Sequence, residues 1–425
     1  MTRLAAVAWL TVALAGLSPQ VVSAETLMIS NARVHTLAPG QPVLENGTIV
    51  IRDGLIQAVG QGIEAPPDAR EIDAQGREVT AGLISAATQL GLTEHSANSH
   101  SSDQQVQGAT LGAGFDVQYA INANSLLIAQ ARADGVTRAV SLPSDSGISP
   151  FNGLGVLLHL LEGPGVLEQP RFVLFAHLGG PNSAAAGGSR AAQWIQLRAA
   201  LDQARYWEAP KASDRKALSL ADLNSQALHS VVSGALPLLL DVRRESDIRQ
   251  AIALRNEFDL RLIILGGTEA WRVADLLAGS DIPVIIDPAA NLPQTFDELA
   301  ARDDAARILQ SAGVLMAFYA SSGLHHSFNA GPAAREAAGY AVANGLPWEA
   351  GLAAITANVA RIWGIEDRAG RIAPGQAADL VIWDGDPLEP SSGPVTVLVG
   401  GNEVSLETLQ TRLRDKYLEP GSNPP

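Results

Sequence analysis

Leu236-Pro237-Leu238-Leu239-Leu240-Asp241, then Glu245 to Phe258, then Arg261-Leu262-Ile263-Ile264-Leu265 form the stretch that decides the fold. Two short, continuously apolar runs flank a segment whose apolar residues recur at helical spacing, so the unit reads strand, helix, strand. A strand that is apolar on both sides must be covered on both faces, which is the condition of a parallel sheet wrapped in helices. The pattern continues outward. Thr137 to Leu142, Gly155 to Leu160 and Arg171 to His177 precede it as strands, and Val284 to Asp287 and Val314 to Phe318 follow it. Ser189 to Trp207 and Glu269 to Ala278 read as amphipathic helices among them. Seven or eight such units over roughly 280 residues close most economically as a (β/α)8 barrel, here spanning residues 81–365.

The flanks are of another kind. Residues 25–80 hold short alternating strands, with Asp53-Gly54 as a hairpin signal between Gly47 to Arg52 and Leu55 to Val59. Residues 366–404 return to strands at Ala378 to Trp383 and Val395 to Val404, and residues 405–425 read as a helix, Ser405 to Tyr417, with a Pro/Gly/Ser tail. Neither set has enough strands to stand alone, so the two ends are expected to pair into one sheet. Residues 1–24 have a basic start, an apolar run from Leu4 to Leu17 and the small-residue end Val22-Ser23-Ala24, the pattern of a signal peptide cleaved after Ala24. The expectation is a periplasmic or secreted protein with no membrane anchor after cleavage.

Composition narrows the chemistry. With Lys+Arg 29 against Asp+Glu 44 the formal charge is −15, a surface that repels phosphate backbones and excludes nucleic acid as a partner. With no cysteine, thiol nucleophiles, Cys-ligated zinc and disulfides are excluded, leaving oxygen and nitrogen groups for any reaction.

Several segments carry a resemblance. Asn31-Ala32-Arg33-Val34, Ile51-Arg52-Asp53-Gly54-Leu55-Ile56, Ile72-Asp73-Ala74-Gln75-Gly76 and Gly82-Leu83-Ile84 open the chain. Ala354-Ile355-Thr356-Ala357-Asn358-Val359-Ala360 and Gly370-Arg371-Ile372-Ala373-Pro374-Gly375-Gln376-Ala377-Ala378-Asp379-Leu380-Val381 close it. Together they resemble the amidohydrolase superfamily, in particular its imidazolonepropionase-like and prolidase-like secreted branch. The resemblance implies a metal-dependent-hydrolase-type (β/α)8 barrel plus a small β-sandwich composed of N- and C-terminal strands. It also implies hydrolysis of an amide, lactam or cyclic C–N bond by a water on one or two divalent ions such as zinc. Such an ion takes the pKa of water from about 15.7 to about 7, roughly 12 kcal/mol of easier deprotonation.

The ligand positions that the resemblance implies are altered in this chain. Where the family has a His-x-His after strand 1, Ala87 and Gln89 stand; where a histidine follows strand 6, Gly266 stands; and among Tyr319-Ala320-Ser321-Ser322 near strand 8 there is no acid. After strand 5 the chain reads Leu240-Asp241-Val242-Arg243, so Asp241 can bind a cation or be neutralised by Arg243. The barrel's lysines, Lys211 and Lys216, lie in a charged loop with Asp214 and Arg215 rather than after a strand. Ala87, Gln89, Asp241, Gly266 and Ser321 are therefore the expected mouth-facing positions, with no metal expected and Asp241 and His326 as the candidate catalytic pair. A rebuilt metal site, if present, would draw on His95, His100, Asp241 and His326, while His35, His159 and His177 read as strand or core histidines and His229 sits in a helical stretch with no acidic partner nearby in sequence.

Two readings of function stay open. One is a catalytically degenerate, metal-free protein of the cell envelope that binds a small molecule or serves as partner subunit to an active homologue, as a homo-oligomer or heteromer. The other is an active C–N hydrolase using a rebuilt metal site or acid–base residues such as Asp241, Glu269 and His326.

Overall fold

The computed structural model describes residues 26–94, 101–106, 111–144, 150–180, 186–208, 218–321 and 329–418. Residues 1–24, read above as a signal peptide, and His95, His100, Lys211, Lys216, Ser322 and His326 lie outside these residues.

Two eight-stranded sheets form the framework. The first contains β1 (Thr26–His35), β2 (Leu44–Arg52), β3 (Leu55–Gln61), β4 (Ala69–Asp73) and β5 (Glu78–Ala81) from the N-terminal side. After the barrel strands β6–β13, given below, it is completed by β14 (Leu380–Trp383), β15 (Pro394–Val399) and β16 (Asn402–Glu403). Its order is β16-β15-β14-β5-β1-β2-β3, with β4 beside β1, so strands from the two ends of the chain meet at the β5–β14 pair. Leu27, Ile29, Val34, Ile49, Ile56 and Leu380 fill its core. The expected single strand from Val395 to Val404 is a hairpin instead, because Gly400 and Gly401 both take positive φ and reverse the chain.

The second sheet is the barrel, in sequence order: β6 (Leu83–Thr88), β7 (Val136–Ser141), β8 (Phe151–His159), β9 (Leu167–His177), β10 (Leu238–Val242), β11 (Leu262–Gly266), β12 (Val284–Ile286) and β13 (Met316–Phe318). Helices such as Arg190–Arg205, Glu245–Phe258 and Ala330–Ala343 surround it. In-register Leu239 and Ile263, with Ile285 and Ala317, belong to the inner cluster, whereas Leu238, Leu240, Leu262 and Ile264 pack in the layer toward the helices. Both faces are apolar, as the continuous runs require. One expectation fails: β8 is antiparallel to β7 and β9. Residues 142–150 and 160–166 are too few for a crossover, which needs a dozen or more residues, so the chain turns back on itself there.

The barrel sheet ends at β13 and β6, and the gap is bridged by residues 354–358 rather than by direct pairing. Phe318 N–H donates to Ala354 O (2.9 Å), Ile84 N–H to Ile355 O (3.0 Å), and Asn358 Nδ2 to Met316 O (2.9 Å). Trp363 Nε1 donates to Ala86 O (3.1 Å) from below the same gap. At the opposite end from the mouth, buried Arg138 of β7 pairs with Asp379, whose Oδ1 also takes His159 Nε2 (3.0 Å) and Gly400 N–H (2.7 Å). Burial, followed by the charges of Arg138 and Arg368, drives the His159 pKa down to about 3, so the imidazole is neutral in this network. Among the described residues no helix is long and apolar enough to cross a membrane.

Asp134, which ends the helix Leu126–Ala133, sits under helix Ala330–Ala343, and a side chain at Gly331 would collide with it. Its Oδ2 is buried with no hydrogen bond among the described residues, and burial raises its pKa to about 6 against the opposing pull of Arg335. A folded-state pKa above the unfolded one means that Asp134 favours folding below the ordinary carboxylate range and loses that contribution as pH rises through about 6. Asp134→Asn is therefore expected to stabilise the protein at pH 8 by on the order of 1–3 kcal/mol. The gain should shrink to nothing near pH 4 in thermal melts across pH; a pH-independent difference would contradict the assignment.

Candidate functional site

The mouth lies at the C-terminal ends of the parallel strands, where a barrel of this kind places its chemistry. Residues one layer above the inner apolar ring border it: His177 from β9, Asp241 from β10, Gly266 from β11, Asp287 just after β12, and Tyr319 and Ser321 after β13. A cavity of about 280 Å³ is lined by His177, Asp241, Tyr319 and Ser321 together with Gln89, Ser144, Phe175 and Arg243, while Gly266 and Asp287 line a smaller cleft that shares Arg243, Tyr319 and Ser321 with it.

The cavity wall is held by an ionic network. Because β9 and β10 pair His177 with Asp241 in register, the two side chains meet, Nδ1 to Oδ2, at 2.9 Å. Asp241 Oδ1 lies 3.8 Å from Arg243 Nε, and Arg243 Nη1 pairs with Glu298, which reaches in from the segment after β12. Burial alone would lower the Arg243 pKa, but Asp241, Tyr319, Asp297 and Asp287 outweigh it, so the guanidinium is a fixed positive charge. Burial, reinforced by Asp241, raises the Tyr319 pKa, keeping the phenol protonated. Asp287 accepts both Ser321 Oγ (2.7 Å) and Ser321 N–H (2.8 Å).

Each expected position can now be placed. Ala87 is buried in the inner apolar cluster, without a donor atom to offer. Gln89 lines the cavity and is hydrogen-bonded to Ser144; Asp241 and Ser321 line it as described. Gly266 has φ +84°, and a Cβ there would lie 2.8 Å from Asp241 Oδ1 and 3.4 Å from Arg243 Cγ. The space a strand-six side chain would enter is thus filled by the Asp241–Arg243 pair. Glu269 accepts the Glu245 N–H (2.8 Å) at the start of the preceding helix, Glu245–Phe258, and is not among the cavity-lining residues. Glu94 is tied to Asn122 and Ser125 at another helix start. His326, His95 and His100 fall outside the described residues.

Sequence reading missed two participants. His177 reads as a strand-end histidine because its partner is 64 residues away, and only strand pairing brings the two together. Glu298 lies in the run Phe296-Asp297-Glu298-Leu299, whose acids have the pattern of solvated loop charges but are buried in the fold.

These groups do not suit a divalent ion. Among the described residues no cluster of three His, Asp or Glu side chains can hold one, and the donor set at the expected positions is reduced to Asp241. A cation on Asp241 would also face Arg243, a repulsion of about 4 kcal/mol per unit charge at ~4 Å.

Comparison with known proteins places the architecture. A solved amidohydrolase from Thermotoga maritima superposes with a TM-score of 0.80 at 25% identity, covering 89% of this chain and 99% of that one. Its architecture is that of the amidohydrolase superfamily. A model of the amidohydrolase family matches residues 316–405, which include the 354–358 bridge and Asp379. Amidohydrolase tasK of Hapsidospora irregularis is 23% identical over 89% of this chain, and imidazolonepropionase of Vibrio cholerae is 31% identical over 34% of it. The matches span 42% and 39% of those two proteins' own lengths.

In this amidohydrolase-type barrel a side chain at position 266 is expected to be damaging. Gly266→Ala should cost about 2 kcal/mol, from positive φ and from the collision with Asp241. Chemical denaturation measures it; a loss below about 0.5 kcal/mol would show that the Asp241–Arg243 pair does not fix this corner.

Proposed function

We propose that this chain is an exported amidohydrolase-type protein, by descent a hydrolase of C–N bonds, whose barrel mouth binds a small molecule without a divalent ion. In this reading it is catalytically degenerate. The observation that carries the reading is the Asp241–Arg243 pair standing over Gly266, in the volume a metal-ligating side chain would need. The loss of donors at Ala87 and the use of Gln89 to hold Ser144 point the same way. The mouth keeps what binding needs: a cavity of about 280 Å³, the Phe175 ring, and polar groups at Gln89, Ser144 and Ser321. Association with a metal-bearing homologue, as its partner subunit in the cell envelope, is the arrangement in which such a barrel would still serve hydrolysis.

A second reading, slow hydrolysis by acid–base groups, is favoured by the 2.9 Å contact between His177 and Asp241. Asp241 would orient the imidazole, and the imidazole would move the proton. Acid–base groups alone supply about 10²- to 10⁴-fold, far less than a metal-bound water with its lowered pKa.

Elemental mass spectrometry on protein purified from the periplasm with zinc and manganese supplied tests the main reading. The expected stoichiometry is below about 0.1 ion per chain; one or two ions would mean a rebuilt ligand set and would overturn it. In the second reading, Asp241→Asn should abolish any turnover found on C–N substrates, and unchanged turnover would remove it.

A further inference from the structure

We propose that residues 291–300 form a strap latched across the barrel mouth, and that the Glu298 carboxylate occupies the place on Arg243 taken by the carboxylate of the mouth's small-molecule ligand. The inference rests on the mouth being a small-molecule site, and it names the chemical class of that molecule and a contact that competes with it.

The path of the strap follows from its tethers. It leaves β12 at Asp287, yet Asp297 accepts the N–H of Gly180 (3.0 Å), just after β9, and pairs with Arg190 at the start of the next helix. Since the strands run β12-β11-β10-β9, a segment joining these points crosses the ends of β11 and β10. Gly179 makes the approach possible, because a Cβ there would lie 2.6 Å from Arg190 Nη1 and 3.2 Å from Asp297 Oδ2. The returning leg rests on Trp271, whose Nε1 donates to Ala300 O (3.0 Å).

The strap is inverted relative to an ordinary surface loop. Its acids point inward, Asp297 and Glu298 being 6% and 7% exposed, while Phe296 is 88% exposed. Buried carboxylates persist only with partners. Asp297 has Arg190, with Arg244 at 3.8 Å; Glu298 has Arg243, and its Oε2 takes the Gln294 N–H (2.9 Å).

The two pairs differ in what lies beneath them. Arg190 and Arg244 are not among the cavity-lining residues, so Asp297 is an anchor. Arg243 lines the 280 Å³ cavity and is its sole lysine or arginine among the described residues. A guanidinium offers a planar fork that suits carboxylates. An incoming carboxylate would replace Glu298 like for like, leaving Arg243 paired throughout, whereas a neutral group would leave its charge less well compensated. The exchange needs only Glu298 to rotate outward, since Asp297 keeps the strap in place.

The test uses the full mature chain in the presence of chelator, with trifluoroacetate as a minimal carboxylate and trifluoroacetamide as its neutral isostere, followed by fluorine NMR. Glu298→Gln keeps the side-chain shape and removes the competing charge, so trifluoroacetate should bind this variant at least about tenfold more tightly than wild type. Arg243→Gln, alone or combined with E298Q, should abolish that binding, and trifluoroacetamide should not distinguish the four proteins. Equal trifluoroacetate affinity in wild type and E298Q, no binding to E298Q up to about 50 mM, or binding that survives R243Q would each overturn the proposal. Thermal melts confirm that the variants are folded, and a variant that fails to melt cooperatively is replaced by Glu298→Ala or Arg243→Met. Metal content is measured on the same preparation before chelator is added. A loaded wild type would overturn the metal-free reading alone, and an unchanged titration in metal-free protein would overturn the latch alone.

Discussion

The fold depends on satisfying the backbone at one seam. A cyclic sheet has no exposed edge, but the path from β6 to β13 ends with its terminal strands unpaired to each other, leaving carbonyl and amide groups that would be costly to bury alone. The residues Ala354, Ile355 and Asn358 supply the missing partners to both strands at once. That requirement explains why the closing run of the sequence is so readable: these residues act as a strand substitute rather than as an ordinary helix start. Thr356 at the centre has φ −140° and ψ −95°, neither helical nor extended, consistent with a backbone shaped by two neighbours.

The same logic separates scaffold from mouth. Asp379, near the end of the chain, is bound to Arg138, His159 and the Gly400 N–H, joining the terminal sheet to the barrel floor. This lower face is a complete, buried polar network, and the family-like segments converge on it. The upper face is built around charges: Asp241, Arg243 and Glu298 form a chain at the mouth. Stability and chemistry reside at opposite ends of one barrel, so one end can change while the other holds.

Sequence made the barrel legible because a strand buried on both faces must be continuously apolar, and Leu238 to Leu240 and Leu262 to Leu265 leave no other reading. Of the positions it marked, Gln89, Asp241 and Ser321 line the cavity, whereas Ala87 lies in the inner apolar cluster. The direction of β8 was misread because an apolar run carries no sign of its polarity; only the short connections at 142–150 and 160–166 reveal the reversal. His177 and Glu298 were opaque for a different reason. Their partners are brought to them by strand register and by a crossing strap, and neither is a local property of the chain.

The bridge at 354–358 also sets an order of events. β6 is among the first barrel strands to be made, yet the acceptor for its Ile84 amide lies at Ile355. β5, just before it, waits for β14 at Leu380 to Trp383. Until the last fifth or so of the chain is available, both the barrel seam and the terminal sheet are open edges, with apolar strands able to pair with any extended segment nearby. Folding of this molecule is therefore a late, long-range event with slow closure. A chain cut short before residue 354 would retain all eight described barrel strands and still be an unfinished, association-prone sheet.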